Sequence, residues 1–363
     1  MNVNLTQRYD ADETYRWNYE NPPRDLPEVD APPVPGSWTF CGLPVDSPLG
    51  IPAGPLLNGD WVLYYAALGF DVLTYKTVRS TSRECYDLPN LVPVDAGSLN
   101  GAEDCVSASP EMTGSWAVSF GMPSAAPDHW RKDVERTRNE LPKGKVLSVS
   151  VVGTVQPGWS LDDLADDYAR CARWAVDAGA DCIEANFSCP NVSTCDGQLY
   201  QQPHDAALVA ARVRSEIVDT PFVIKIGHTS NSHDAVMLLE AVAGSVDGLA
   251  MTNSVATRVQ SAEGKFLFDG ERRGICGDAT RQASLEQLRL FAGLAAERGL
   301  TTSMIGVGGA GTADHVGDYL AAGAESVHIA TAAMIDPGVG LAIRRELCER
   351  KTGPTLRQAS ASQ

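Results

Sequence analysis

Short apolar runs separated by amphipathic stretches recur eight times along the chain, and this alternation constrains the fold more than any other feature. The runs are Pro48–Gly54, Asp71–Thr77, Val146–Val152, Asp181–Asn186, Phe222–Ile226, Gly248–Thr252, Met304–Val307 and Ser326–Ala330. Strands that are apolar at almost every position are typical of parallel sheets, because helices cover both of their faces. The alternation therefore predicts an α/β protein built on parallel strands.

The stretches between the runs carry helix signals. Ser160 is followed three residues later by Asp163, which is the spacing of a capping box, and Gly179 stands where that helix should end. Thr312 and Gly323 delimit a second helix in the same way. The other predicted helices are Trp61–Leu68, Asp128–Leu141, His204–Val218, Ser232–Ala243, a segment around Leu285–Leu294, and Gly338–Arg350. Eight strand–helix units predict a (β/α)8 TIM barrel, which normally needs about 250 residues plus insertions.

The remaining length is assigned to an arm, a tail and two insertions. Residues 1–40 are polar and proline-rich and are expected to form an irregular arm that wraps the barrel domain, residues 41–350. Residues 351–363 are expected to form a polar tail. The insertions, at about 78–127 and 254–280, each follow a strand. They are therefore expected at the carboxyl-terminal face of the barrel, where such enzymes hold their active sites, as lids or pocket walls.

Composition argues against several classes of protein. The 363 residues carry a formal net charge of −17 and no run of five basic residues, so general nucleic-acid binding is not expected. The absence of an apolar stretch of about 18 residues, and of a signal-peptide layout, predicts a cytoplasmic protein with no membrane contact. Nine cysteines at irregular spacing, without a CxxC pair, predict reduced thiols and no metal site.

A glycine-rich segment after the seventh predicted strand indicates a phosphate site. Residues 306–311 read GVGGAG and precede a predicted helix, so the backbone N–H groups of Gly308 and Gly309 can face an anion. In a barrel the loops after strands seven and eight bind phosphate, which makes Ala330 and Thr331 the opposite wall. Dinucleotide binding by the same GxGxxG pattern, and glycines that serve only tight turns, are the alternatives.

Two lysines lie inside predicted strands, and polar side chains follow two other strands. Lys76 and Lys225 stand near the carboxyl ends of strands two and five, where a buried charge needs a partner. They predict an anionic ligand, with a structural ion pair as the alternative. Residues 186–191 (NFSCPN) after strand four, and Asn253 with Ser254 after strand six, offer amides, hydroxyls and a thiol that suit a ring with amide edges.

These motifs, in this order, resemble those of the dihydroorotate dehydrogenases, and most closely the soluble class with a catalytic cysteine. The resemblance covers about residues 45–345. It rests on PAGP at 52–55, YKT at 75–77, FGMP at 120–123, NFSCPN at 186–191, IKI at 224–226, TNS at 252–254, GVGG at 306–309 and HIATA at 328–332. The family fold is a (β/α)8 barrel that binds FMN, so the resemblance implies this cofactor and a homodimer.

The resemblance also implies a role for each matched residue. The catalytic set is Cys189 as the base, together with Lys76 and Ser188. The substrate-binding set is Lys76, Gly121, Met122, Asn186, Asn191, Asn253 and Ser254. The cofactor-binding set is Ala53, Gly54, Lys76, Thr77, Asn186, Lys225, Thr252, Gly277, Gly308, Gly309, Ala330 and Thr331. No metal ligand is expected.

The reaction that the resemblance implies is the oxidation of (S)-dihydroorotate to orotate. A saturated ring carbon delivers hydride to flavin N5, and the Cys189 thiolate removes a proton from the neighbouring carbon. Lys225 would stabilise the negative charge of the reduced flavin. Cys195 is the rival base, and an inert buried thiol is the alternative for Cys189. The electrons then pass to a second acceptor: fumarate, NAD through a partner subunit, or, least expected without a membrane anchor, quinone.

One position departs from the family pattern. Val118 stands where the family usually has an asparagine that helps to hold the substrate carboxylate, which predicts a changed substrate pocket. A relative acting on another cyclic amide or dihydropyrimidine, as a dehydrogenase or ene-reductase, is therefore the alternative function. A dihydropyrimidine dehydrogenase would need a cysteine run for iron–sulfur clusters that this sequence lacks. The other interpretations are a non-catalytic flavin- or phosphate-binding barrel, and an aldolase or isomerase with Lys225 as a Schiff-base lysine.

Overall fold

The computed structural model of the chain describes residues 7–188, 198–229 and 231–352. Its centre is a closed barrel of eight parallel strands, each paired with the next strand of the barrel along the chain and the eighth with the first. The strands are Leu49–Ile51, Val72–Val78, Val146–Val151, Cys182–Asn186, Phe222–Lys225, Gly248–Met251, Ser303–Val307 and Ser326–His328. Each lies within one of the eight apolar runs or extends one residue beyond it. The predicted (β/α)8 barrel is confirmed.

Helices cover the outside of the barrel. The eight longer ones are Gly59–Ala67, Pro127–Glu140, Leu161–Asp177, Pro203–Ile217, Ser232–Val242, Arg281–Glu297, Ala313–Ala321 and Val339–Thr352. The capping box is present, since the Ser160 hydroxyl accepts from the Asp163 N–H and the Asp163 carboxylate accepts from the Ser160 N–H. Across the described ranges, none of the helices has both the length and the apolar character needed to cross a membrane.

A short hairpin closes the amino-terminal end of the barrel. Its strands, Trp38–Phe40 and Leu43–Val45, pair in antiparallel register. Phe40 packs on the apolar side chains with which several barrel strands begin, among them Val72 and Val146. Burial of such apolar surface stabilises the fold by about 25 cal/mol per Å². With this end closed by side chains, the carboxyl-terminal end is the one at which a ligand can enter.

The two insertions combine into one structure at the carboxyl-terminal face. Their strands are Leu91–Asp95, Cys105–Ala108 and Ser115–Val118 from the first insertion, and Val255–Gln260 and Arg273–Gly277 from the second. The five strands close into a small barrel with its own apolar core, which includes Val94, Val259 and Ile275. The insertions were expected at this face as lids or pocket walls, and the structure adds that they are joined, because Gly274 pairs with Val118 and Arg258 with Cys105.

The segment before the hairpin is more ordered than its composition indicates. Residues Tyr15–Glu20 form a short helix whose first turn is capped by the Thr14 hydroxyl, which accepts from the Trp17 N–H at 3.1 Å. Asn18 is buried, and its amide group bonds the backbone of Asp10 in both directions. A six-residue helix is too short to give a periodic pattern, so the sequence did not predict it. The division into arm, barrel domain and tail stays a prediction.

A buried ion cluster joins distant parts of the chain at the closed end of the barrel. The Asp71 carboxylate is fully buried and accepts from Arg344, from Ser47 and, at 2.7 Å, from Lys145. Arg344 also donates to the carbonyls of Gly69 and Pro32. The guanidinium therefore ties the last helix to the second barrel strand and to the segment before the hairpin. Buried charges of this kind are strongly destabilising when one partner is removed.

We predict that Arg344→Met destabilises the protein by about 3 kcal/mol, because it leaves Asp71 with one cation instead of two. Urea unfolding followed by circular dichroism measures the change. Arg350→Met is the matched control on the same helix, since its side chain is 43% exposed and its ion pairs are on the surface. It should cost less than about 1 kcal/mol. Equal losses in the two variants would contradict the role given to Arg344.

Candidate functional site

Side chains from two barrel strands form a continuous chain of hydrogen bonds at the open end. The Asn253 amide donates to the Ser188 hydroxyl at 2.7 Å, and Ser188 donates to the Asn186 carbonyl oxygen at 2.8 Å. The Asn186 amide nitrogen in turn lies 3.7 Å from the Met122 sulfur. Asn186 ends the fourth strand and Asn253 follows the sixth, so barrel closure brings them together. The structure thus places four of the predicted site residues in one contiguous group.

Lys76 is buried near the end of the second strand, with 7% of its surface exposed. Its ammonium lies over the Phe120 ring, 5.6 Å from the centroid, and it has no ion-pair partner among the described residues. Burial is the main reason that the pKa of Lys76 falls to about 8; Cys85 opposes the fall, and the positive charges of Lys225 and Arg79 add to it. A cation in this position needs an anion that the described protein does not supply.

Lys225 ends the fifth strand and is 4% exposed. The nearest carboxylate oxygen is Glu184 Oε1, at 3.9 Å, which is too far for a hydrogen bond. That oxygen is itself buried without a hydrogen-bond partner in the described chain, as are both ring nitrogens of His328. Burial, with a contribution from Lys225, lowers the pKa of His328 to about 3, so this imidazole is neutral. Lys225 and Glu184 therefore form an ion pair without a hydrogen bond. The Lys225 ammonium keeps donors, and Glu184 Oε1 stays an acceptor, with no partner in the described chain.

The predicted phosphate loop forms a cradle of close backbone contacts. Gly308 and Gly309 have positive φ values of 130° and 66°, which favour glycine. A side chain on Gly308 would collide with the Ser284 hydroxyl, and one on Gly309 would come within 2.8 Å of the Gly277 carbonyl oxygen. Gly277, with φ of 102°, ends the last strand of the second insertion. The structure thus brings the three glycines together, and the buried Ser284 hydroxyl beside them has no partner among the described residues.

The other wall of the cradle follows the eighth strand. Ala330 precedes the short helix Thr331–Ile335, and Thr331 is buried at its first position. A Cβ on Gly311, in the seventh loop, would lie 3.0 Å from the Cβ of Ala332. The loops after strands seven and eight therefore touch, which is the arrangement a phosphate group needs in this class of barrel.

The remaining predicted cofactor residues lie around the mouth of the barrel. Ala53 is buried after the first strand, and a Cβ on Gly54 would meet nothing within 4 Å, so open space faces this glycine. The hydroxyls of Thr77 and Thr252 are already engaged, with Ser150 at 3.0 Å and Gln287 at 3.2 Å respectively. Their side chains thus already support neighbouring elements.

The segment Phe120–Met122 approaches the site from the first insertion. Gly121 and Met122 both have positive φ, at 70° and 53°, and Met122 reaches Asn186 as described above. Val118 is half-buried and pairs with Leu91 and Gly274 in the small barrel. Ser254 lies against the same strand, since a Cβ on Gly274 would collide with its hydroxyl. An apolar side chain thus stands at the position where the family usually has an amide.

The predicted base and its loop fall outside the part of the chain that the structure describes. Cys189, Asn191 and the rival Cys195 all lie in residues 189–197. Two described thiols are close to the site: Cys276 contacts the Asn253 carbonyl oxygen at 3.6 Å, and Cys85 is near Lys76. Burial raises the pKa of both to about 11, so neither is a thiolate at neutral pH. Within the described ranges there is no cluster of three or more metal-ligating side chains.

Sequence reasoning missed three residues that shape the site. Glu184 is a charge inside a buried strand, the same signal that identified Lys76 and Lys225, and it was open to the same argument. His328 stands in the quoted HIATA motif but received no role. Gln287, in contrast, gave no local signal. It is buried on the helix Arg281–Glu297, where it bonds Thr252 and the backbone of residues 227 and 229.

Comparison with known proteins agrees with this geometry. A family model described as "Dihydroorotate dehydrogenase" matches residues 111–350. The dihydroorotate dehydrogenase of Dictyostelium discoideum is 29% identical over 356 residues, covering 92% of this chain and 95% of that protein. The catalytic subunit of dihydroorotate dehydrogenase B (NAD(+)) from Desulforudis audaxviator is 24% identical over 322 residues, covering 88% of this chain and 93% of that protein.

A solved structure extends the likeness to the fold. The crystal structure of DHODH in complex with ferulenol from Eimeria tenella superposes with a TM-score of 0.70, at 18% identity, and covers 90% of this chain and 88% of that one. The match of the family model spans well over half of the sequence and includes strands three to eight of the barrel. The chain therefore belongs to the dihydroorotate dehydrogenase family, a family of flavoprotein oxidoreductases that act on CH–CH groups.

Proposed function

We propose that this protein is an FMN-dependent enzyme that oxidises (S)-dihydroorotate to orotate. The observation that carries the proposal is the hydrogen-bonded group Asn186–Ser188–Asn253, which shares the open end of the barrel with two buried lysines near strand ends, Lys76 and Lys225. Amide side chains both donate and accept, so they match the N–H and C=O edges of a dihydropyrimidine ring. Lys76 supplies the positive charge that the carboxylate of this substrate requires.

The described residues fit FMN. The cradle of Gly277, Gly308 and Gly309 has room for backbone approach but none for side chains, as a phosphate site needs. Open space beside Gly54 suits one face of a flat ring, and among the described residues Lys225 has no acceptor within hydrogen-bond distance. A cation there stabilises negative charge that develops on a neighbouring group, and the low-dielectric surroundings strengthen the effect.

The chemistry is divided between the cofactor and this chain. FMN, when bound, supplies the hydride acceptor at N5 and the route by which the electron pair reaches a second acceptor. Cys189, as a thiolate, takes the proton from the adjacent ring carbon, so that a C=C bond forms beside a carbonyl group. The Ser188 hydroxyl bonds the side chains of both Asn186 and Asn253 and so fixes their orientation. Lys76 binds the carboxylate of the substrate. The thiols of Cys85 and Cys276 do not serve as the base, because burial keeps both protonated at neutral pH.

Val118 supports a second candidate, oxidation or reduction of a related cyclic amide without a carboxylate. The isopropyl group offers no donor, and its neighbours Leu91 and Gly274 offer no polar side chain in its place. We favour dihydroorotate because Lys76 remains available to bind an anion. The proposal also includes a cytoplasmic homodimer and a second electron acceptor, which turnover assays with fumarate, NAD and quinone would identify.

Anaerobic mixing of the purified flavoprotein with dihydroorotate tests the function. We expect FMN to be released on denaturation, and the flavin band near 450 nm to bleach with dihydroorotate faster than with dihydrouracil or dihydrothymine. Bleaching only by the uncharged rings would establish the second candidate, and no bleaching by any of them would refute both. Cys189→Ala should slow the bleaching by about 100-fold or more, whereas Cys195→Ala, the matched control, should not. If Cys195→Ala slowed the bleaching and Cys189→Ala did not, Cys195 would be the base.

The lowered pKa of Lys76 predicts how substrate affinity depends on pH. The carboxylate binds the protonated amine, so the Kd of dihydroorotate should be constant below the pKa of about 8. Above it, the Kd should rise about tenfold per pH unit as the amine loses its proton. Stopped-flow flavin reduction at several substrate concentrations yields this Kd. Lys76→Met should raise it by about 10- to 100-fold and remove the pH dependence; exposed Lys132→Met should change neither.

A pH-independent Kd in the wild-type protein, or a pH step that survives in Lys76→Met, would contradict this assignment.

A further inference from the structure

The segment Gln7–Glu20 reaches the candidate site through two tyrosine rings, although the proposed function assigns it nothing. Tyr9 and Tyr15 both pack edge-on against Phe120, with ring centroids 5.9 Å apart in each case. Tyr9 is 6% exposed, and its hydroxyl has no hydrogen-bond partner in the described chain. The contribution of Tyr9 at this point is therefore its ring and not its hydroxyl.

Phe120 carries the contact onward to the predicted substrate residues. The face of its ring holds the Lys76 ammonium at 5.6 Å, which is within the range of a cation–π interaction. Its chain neighbours Gly121 and Met122 have left-handed backbones, and Met122 contacts Asn186. A shift of the Phe120 ring would therefore move both the bound cation and the segment that leads to the amide group.

The tyrosine-bearing segment is itself held firmly. Its backbone accepts hydrogen bonds from the barrel side chains Trp61 at 3.2 Å, Asn58 at 2.8 Å and Tyr64 at 2.8 Å. The buried Asn18 closes the loop between Tyr9 and Tyr15 from inside, by its two bonds to the backbone of Asp10. Hydrogen bonds at several points thus fix the segment that carries the two rings, and residues that position others need such support.

We propose that Tyr9 and Tyr15 are positioning residues of the active site, which clamp Phe120 so that Lys76 and Phe120–Met122 are aligned for the substrate. The proposal rests on the proposed function for the identity of the substrate, whereas the clamp on Lys76 stands on the contacts alone. Neither tyrosine is placed against the reacting atoms. Both act through Phe120.

The clamp also keeps water from Lys76. Tyr15 and Tyr19 line a small cavity together with Lys76 and Tyr75, so removal of the Tyr15 ring would open the ammonium to solvent. The charged and titratable groups that act on Lys76 are Cys85, Lys225 and Arg79, and none of them belongs to the tyrosine segment. Loss of the ring should therefore raise the pKa of Lys76 from about 8 toward its usual 10.5 by hydration, with the neighbouring charges unchanged.

Alanine and phenylalanine variants separate the clamp from general packing. Tyr9→Ala and Tyr15→Ala should each raise the Kd of dihydroorotate by about two- to tenfold, as expected for loss of one aromatic pair, and leave the limiting rate of flavin reduction within about twofold. The pH at which the Kd begins to rise should move upward in Tyr15→Ala. Tyr9→Phe and Tyr15→Phe keep the rings, so the Kd of dihydroorotate and the pH at which it begins to rise should equal the wild-type values. Trp17→Ala is the matched control on the same helix, because its ring is 41% exposed.

A second measurement does not depend on the substrate. The rate constant for acylation of the unprotonated Lys76 amine by acetic anhydride, taken from the pH profile of labelling by peptide mass spectrometry on the folded holoenzyme, should rise in both alanine variants. It should stay at the wild-type value in the phenylalanine variants and in Trp17→Ala. This result would support the clamp even if dihydroorotate failed to bleach the wild-type flavin, a failure that refutes the proposed function alone. Unchanged acylation, or phenylalanine variants as impaired as alanine variants, would overturn the inference.

Discussion

Two positive charges enclosed at the open end of a closed barrel are the constraint on which the rest of the site depends. Lys76 has no ion-pair partner among the described residues, and Lys225 has one carboxylate oxygen beyond hydrogen-bond distance. Burial of a cation without a close anion is costly, so the protein retains these residues at the expense of stability. An anionic cofactor and an anionic substrate at this position would remove that cost, which is why the family assignment and the local electrostatics agree.

The core of the fold could be predicted because its signals are local. Continuous apolar runs identify parallel strands, and capping residues such as Ser160 and Thr312 mark helix starts, whatever the rest of the chain does. The small barrel could not be predicted in this way. Its closure depends on pairing between residues about 150 positions apart, such as Cys105 with Arg258, and strand periodicity carries no information about which partner a strand chooses.

In the candidate site, too, contacts that follow from the barrel could be predicted, whereas contacts between distant segments could not. Asn186, Ser188 and Asn253 follow barrel strands, so their meeting at one face is a consequence of the fold that the sequence already indicated. The roles of the predicted site residues remain predictions, and Cys189 and Asn191 lie outside the described ranges. The contacts of Tyr9 and Tyr15 with Phe120 join the start of the chain to an insertion. No motif spacing reports a contact of that kind, and only the three-dimensional arrangement reveals it.

The proposed role of Lys225 is to serve the bound flavin as a buried cation at a strand end, and redox potentiometry of the Lys225→Met holoenzyme measures this role. If Lys225 stabilises the negative charge gained on reduction, the midpoint potential of the flavin should fall by about 30 mV or more, equivalent to ~1.4 kcal/mol for a two-electron couple. The exposed control Lys132→Met should keep the wild-type potential. A potential that is unchanged or higher in Lys225→Met would show that this lysine only balances Glu184 and does not serve the flavin.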